Sequence, residues 1–181
     1  VRAERQTSMC INNGIRCESG ILDRAESRHG PISNRNEFIY ERHILDHAGV
    51  SLVVRGKIDG MLEDGTVVEV KTRNRNRPRC AAPQVFSNET VQVTLYMWIL
   101  DTRKCLFIEH FSDDEFLENW VEYDQTYMDK TILNGLRKYI DARIQFDSLP
   151  RQEQIGIAMK AIKEGKSKGQ RWATELRDRL V

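Results

Sequence analysis

The sequence predicts a mixed α/β domain, a central mixed β-sheet flanked by helices. Three observations predict it. Residues 51–59 (SLVVRGKID) and 66–72 (TVVEVKT) are rich in β-branched side chains and read as strands, and 104–112 (KCLFIEHFS) reads as a strand. Residues 12–28, 88–101 and 125–146 carry apolar side chains at helical spacing. The order helix, strands, helix, strand, helix is that of a mixed core. With 181 residues, 40 % hydrophobic and 30 % charged, the chain can bury one core, and its composition is not that of a disordered tail. No run approaches the roughly 18 apolar residues of a membrane span.

The elements follow in order. In 12–28, Ile11, Ile15, Leu22 and Ala25 share one face, and His29-Gly30-Pro31 stops the helix. Residues 37–45 (EFIYERHIL) read as a strand, and Asp64-Gly65 joins the strands at 51–59 and 66–72 as a hairpin. Residues 73–87 hold Pro78 and Pro83 without a pattern and read as a loop. Helix 88–101 turns Val91, Leu95, Trp98 and Ile99 to the core, and 121–124 reads as a short edge strand. Residues 151–180 are helical with Gly165 and Gly169 interrupting. The expected organisation is one domain over 1–150 and a basic helical appendage over 151–181.

The charge is unevenly spread. The net charge is +1, yet 71–79 read KTRNRNRPR, 109–129 hold eight acids and no Lys or Arg, and Lys160–Arg179 carry seven Lys/Arg against three acids. Basic strips of this kind can follow a phosphate backbone. The acidic stretch 109–129 and the basic tail are candidate surfaces for a protein partner. Cys10, Cys17, Cys80 and Cys105 are scattered without a CxxC pair, which predicts an intracellular, reducing compartment rather than a disulfide framework.

The segment 56–72, GKIDGMLEDGTVVEVKT, carries the chemistry. Glu69 and Lys71 lie two apart on a strand and share a face, while Val68 and Val70 point to the other. Register decides where Asp59 falls. A two-residue loop at Asp64-Gly65 would set Asp59 opposite Val70 and mix charge with hydrocarbon on both faces. A three-residue loop, Glu63-Asp64-Gly65 with Gly65 left-handed, sets Asp59 opposite Glu69 and gathers Ile58, Leu62, Val68 and Val70 on the other face. The second register is the one expected.

Two carboxylates held so close repel unless a cation lies between them. Lys71 supplies part of that charge, and a hard divalent metal such as Mg²⁺ supplies the rest. Such a site suits phosphodiester hydrolysis, with Lys71 orienting or activating the attacking water. In the first helix, Ile11, Ile15, Glu18, Leu22 and Ala25 follow 4-3-4-3 spacing, so Glu18 occupies a place where a hydrophobe is expected. Metal binding beside Asp59 and Glu69 would account for it. Glu26, one turn beyond Leu22, is the second candidate.

Gly56-x-x-Asp59-Gly60, then Glu69-Val70-Lys71, then Gln92-x-x-x-Tyr96, with Glu18 on a preceding helix, resembles the PD-(D/E)xK nuclease superfamily over residues 12–112. Within it the order looks like the lambda-exonuclease, YqaJ and RecB-nuclease branch. The texture KTRNR…VQVTLYMWIL looks most like exonuclease-like proteins of large DNA viruses and phages. The resemblance implies a restriction-endonuclease-like core and a nuclease using Mg²⁺ or Mn²⁺. It implies that Glu18, Asp59, Glu69 and the Val70 main-chain carbonyl hold the metal and that Lys71 is catalytic. Gln92 and Tyr96 would support the site and contact nucleic acid, and Arg73, Arg75, Arg77 and Arg79 would contact phosphates. It favours DNA over RNA and an exonuclease in replication, recombination or repair. The proline of the name is absent, since Ile58 precedes Asp59. Cys80 and Cys105, 25 apart, make no close pair, so no iron–sulfur cluster is expected. His29, His43, His47 and His110 are expected to be structural or surface residues. The alternatives are an endonuclease, including an RNA-cleaving cap-snatching type, a silent nucleic-acid-binding domain of the same fold, and a docking domain of a larger complex.

Overall fold

The computed structural model describes residues 17–73, 85, 87–112 and 115–163. Helix α1 covers 17–29 and strand β1 Ile32–Ser33. A ribbon of β2 (Tyr40–His47) and β3 (Val50–Gly56) follows, then β4 (Gly60–Leu62), β5 (Val67–Thr72), α2 (Ser87–Ile99), β6 (Lys104–Ser112) and β7 (Glu115–Glu122). The chain closes with α3 (Gln125–Tyr127), a π-helical turn (Met128–Leu133), α4 (Asn134–Ser148) and α5 (Arg151–Lys163). The chain is a mixed α/β fold. Its five-stranded sheet has the order β1-β4-β5-β6-β7, and β2 and β3 form a separate two-stranded sheet. The β5–β6 pair is parallel, with α2 as the crossover, and the other pairs are antiparallel.

The described residues divide into two units. One draws on Val1–Leu45 and Ser51–Ile132, the other on Asp46–Val50 and Leu133–Val181. The boundary thus falls at Leu133 rather than at the expected residue 150. In the second unit His47 Nε2 meets Asp141 Oδ1 at 2.7 Å, and Arg143 pairs with Asp147 one turn on at 2.7 Å.

The core of the first unit lies on both faces of the larger sheet. Ile21, Leu22 and Ala25 of α1 pack with Ile32, Leu62, Val68, Val70, Leu106 and Ile108 on one face. On the other, Val93 and Met97 of α2 pack with Ile58, Val67, Cys105 and Phe107. Alternation along β5 and β6 feeds both clusters, as expected for strands buried on two sides. Helix α1 ends where the sequence says: the Gly30 N–H donates to the Glu26 carbonyl at 3.0 Å with φ +93°, and Pro31 follows.

Several elements differ from expectation. The strand expected over 51–59 stops at Gly56, because β3 pairs with β2 in the ribbon while β4 belongs to the larger sheet, so 57–59 carry the chain from one to the other. The edge strand expected over 121–124 is the eight-residue β7. Its Phe116 and Glu118 face α1, where Arg28 and His29 reach Glu118 at 3.3 and 3.0 Å, so this acid ties the strand to the helix. Helix α2 buries Glu89, Val93, Thr94 and Met97 rather than Val91, Leu95, Trp98 and Ile99. An acid on the buried side hides that face from a hydrophobic pattern, and its cation, Arg73, lies on another element.

Candidate functional site

The β4–β5 hairpin sets the site. Gly60 pairs with Val68 and Met61 with Val67, so the register places Asp59 opposite Glu69. The Leu62 N–H donates to the Thr66 carbonyl at 2.9 Å around a three-residue loop, with Gly65 at φ +84°. The loop and register are those expected, but Ile58 does not join Leu62, Val68 and Val70: β4 begins only at Gly60, and Ile58, on the segment between the two sheets, packs on the α2 side with Val67 and Phe107. Beyond Gly60 the chain leaves β5, so the Val70 N–H has no strand partner on that edge. Asp59 Oδ2 accepts it at 2.8 Å. The N–H and C=O of one strand residue leave on the same edge, so the Val70 carbonyl is directed to the side where Asp59 lies.

Glu69 is buried to 2 % exposure. Its Oε1 accepts from Lys71 Nζ and from Gln92 Nε2, the latter at 2.8 Å. Gln92 Nε2 also meets Tyr96 Oη at 2.9 Å, one turn along α2. The other oxygen, Glu69 Oε2, is buried and receives no hydrogen bond from an N–H or hydroxyl among the described residues, and when protonated the Glu69 carboxyl can donate to Asp59. Glu18, at the start of α1, is bridged to Asp59 by one amide: Asn36 Nδ2 donates to Glu18 Oε1 and reaches Asp59 Oδ1 at 3.4 Å. Gly56 lies against the Tyr96 ring so closely that any Cβ would overlap it. This close approach packs the chain, just before Asp59, against the helix that carries Gln92.

Among the described residues the three carboxylates have one ammonium in hydrogen-bond contact, Lys71, with Lys57 acting on Glu18 through its charge. Burial, then the charge of Asp59, push the Glu69 carboxyl up to about 8, and Lys71 only partly offsets them. Burial also raises Asp59 against the pull of the Val70 N–H and Lys71. Glu18 is raised by burial and by Asp59. For Lys71 burial favours the neutral amine, but Glu69 and Asp59 outweigh it and hold the ammonium charged. Glu18 and Asn36, at one edge of the cluster, line a cleft of about 450 Å³ together with Ser19, Leu22, Arg35 and Lys57. An orphaned carboxylate oxygen in a net-negative cluster beside open space fits a hard divalent cation. Among the described residues no group of three or more His, Cys, Asp or Glu side chains is placed so that it could hold a metal ion as it stands.

No family model matches the chain, and no curated protein matches it. A solved structure matches in fold. It is titled "Crystal structure of SSO0001", with a TM-score of 0.52 at 16 % identity, over 70 % of this chain and 58 % of that one. The chain therefore spans less than two thirds of that structure's length. The likeness extends to the mixed α/β architecture.

Glu18, Asp59, Glu69, Val70, Lys71, Gln92 and Tyr96 thus come together in the first unit. Arg73 does not join them as a phosphate contact, and that expectation is corrected. Its guanidinium is buried, bidentate on Glu89 at 2.6 and 2.8 Å and on Glu109 at 2.7 Å, with the Phe107 ring centroid 5.9 Å away. The alternation that puts Glu69 and Lys71 under α2 puts Arg73 there too. Arg75, Arg77 and Arg79 lie outside the described residues. Glu26 is taken up by the Ile32 N–H at 2.8 Å and by Arg35 at 2.9 Å. Of the histidines, His29 and His47 pair with acids and His110 is buried. Sequence reasoning missed Asn36. Its signal was the turn Ser33-Asn34-Arg35-Asn36, since Asn tolerates the left-handed backbone it adopts at φ 53°.

Among the described residues no helix is long and apolar enough to cross a membrane.

Proposed function

We propose that this chain is a divalent-metal-dependent nuclease, acting on DNA and from an end. The observation that carries the reading is the unpartnered Glu69 Oε2 inside a cluster of three carboxylates that one lysine does not neutralise. Glu18, Asp59, Glu69 and the Val70 carbonyl would hold Mg²⁺ or Mn²⁺. When bound, the cation supplies a polarised phosphoryl group and a bound water of lowered pKa.

The chain's own residues do the rest. Gln92 Nε2 and Lys71 Nζ both hold Glu69 Oε1, which leaves Oε2 unengaged. The Val70 N–H fixes Asp59 by one oxygen, and Asn36 joins Asp59 to Glu18. Lys71, 27 % exposed, can donate one hydrogen bond to Glu69 and others to an attacking water or a phosphoryl oxygen, where negative charge develops. The preference for DNA and for ends rests on the resemblance to the lambda-exonuclease branch alone.

The test is cleavage of end-labelled linear DNA, closed circular DNA and single-stranded RNA with Mg²⁺, Mn²⁺ or EDTA, beside Glu69→Ala. Metal-dependent loss of linear DNA only, abolished in the variant, is the expected result. Degraded circles would make the chain an endonuclease. Cleavage of RNA alone would move the substrate to RNA. No cleavage of any substrate would remove the catalytic reading.

A further inference from the structure

The cleft beside the carboxylates has two cationic residues in its lining, Arg35 and Lys57. They are not equivalent. The Arg35 guanidinium is spent: Nε donates to the Ile32 carbonyl at 3.2 Å, and its terminal nitrogens meet Asp23 at 2.5 Å and Glu26 at 2.9 Å. Lys71, deeper in the site, is engaged by Glu69. Lys57 is exposed and has no hydrogen bond or ion pair among the described residues. It is near enough to Glu18 for its charge to act on that carboxyl.

Its backbone is anchored from both sides. Gly56 is pressed on the Tyr96 ring, and Ile58 is buried at 1 % exposure in the α2-side core. Asp59 follows, two residues away. An ammonium on an anchored segment, lining a cleft beside acids that repel any anion, suits a phosphate that arrives with a cation at those acids.

We propose that Lys57 is a substrate-binding residue that grips a backbone phosphate of the nucleic acid adjacent to the one at the carboxylates. The proposal rests on the nuclease reading and deepens it. Lys57 takes no part in the chemical step, so it contributes binding shared by ground and transition states.

The test uses the full chain and an unmodified oligonucleotide. Steady-state hydrolysis with Mn²⁺ is measured for the native chain, Lys57→Ala and Lys57→Arg. Binding of the same oligonucleotide is measured in the Glu69→Gln background between about 50 and 200 mM salt. Lys138→Ala, an exposed lysine of α4, controls for net charge. Lys57→Ala is expected to raise KM and weaken binding about five- to tenfold and to lower the salt slope by about 0.7 to 0.9, the share of one phosphate. Lys57→Arg is expected to keep the slope, and Lys138→Ala to leave it unchanged. An unaltered slope and affinity in Lys57→Ala, or a fall in kcat at constant KM, overturns the proposal. If the native chain binds but does not hydrolyse, the nuclease reading falls while the slope still decides Lys57. If it neither binds nor hydrolyses, both fall.

Discussion

Two clusters of buried charge lie under the same helix on the same strand face, and they are built to opposite ends. Glu69 and Lys71 belong to one, and Arg73, two residues on, to the other. In the second cluster one guanidinium meets Glu89 and Glu109 through short, directional hydrogen bonds, and all three side chains are 7 % exposed or less. In the first cluster three carboxylates share one ammonium, one carboxylate oxygen has no partner, and a cleft adjoins the cluster. Glu109 Oε2 also lacks a partner, so an unpartnered oxygen is common to both clusters; what separates them is that Glu89 and Glu109 hold one guanidinium between them, whereas Glu69 stands beside two further acids, Asp59 and Glu18. The difference teaches how to read buried charge. A sealed group centred on arginine holds elements together. A cluster of acids whose carboxyl groups are raised by burial and by one another is where a binding or catalytic site is sought first, and on the proposed reading the first cluster is one.

The comparison breaks most visibly through activity. On the proposed nuclease reading, Asp59→Asn or Lys71→Ala should cut hydrolysis by about a thousandfold or more while the fold is kept, since that reading aims both groups at the reacting atoms. Steady-state rates beside thermal melts check this, and a loss that follows unfolding would contradict it. Arg73→Met should do the reverse. Removing one partner from a buried ion network costs about 3–5 kcal/mol, readable in denaturant unfolding. If that variant were as stable as the native chain and lost only nucleic-acid affinity, Arg73 would be a phosphate contact after all.

pH sharpens the contrast. Between about 4.5 and 8 the folded chain keeps a proton on Glu69 that the unfolded chain has released. The unfolded state then binds fewer protons, so stability falls as pH rises through that window. Melting temperatures in EDTA should decline from pH 5 to 8, and Mn²⁺ should remove most of the decline by taking the proton's place. A flat profile in EDTA would mean that Glu69 is not desolvated as described. The smallest expected effect is Gly56→Ala. Its Cβ would overlap the Tyr96 ring, at a cost of about 1–3 kcal/mol, with activity lowered as Tyr96 and Gln92 shift. Unfolding and kcat of the same preparation measure both.

The sequence made the first cluster legible because strand alternation and turn chemistry are local. Gly65 fixed the loop length, the loop fixed the register, and the register put Asp59 opposite Glu69. Glu18 betrayed itself by interrupting an apolar stripe. The second cluster was not legible, because its parts come from β5, α2 and β6, 16 and 36 residues apart. Arg73 sits beside further arginines in a run that reads as a surface strip, and Glu89 reads as the solvated start of a helix. Asn36 escaped for a different reason: a turn asparagine is common, and only the fold shows that its amide lies between two carboxylates. The second strand of the hairpin ran to length, but the first broke at Gly56, since in 51–59 only that glycine marks the change of sheet and a single glycine within a strand pattern does not decide it.

The most direct measurement is calorimetric titration of Mn²⁺ into the native chain, Glu69→Gln and Glu109→Gln at neutral pH in two buffers of different ionisation enthalpy. The account predicts that the native chain binds the ion with release of about one proton, that Glu69→Gln loses this binding, and that Glu109→Gln keeps it. Absence of binding in the native chain, or binding that survives Glu69→Gln and disappears with Glu109→Gln, would contradict it.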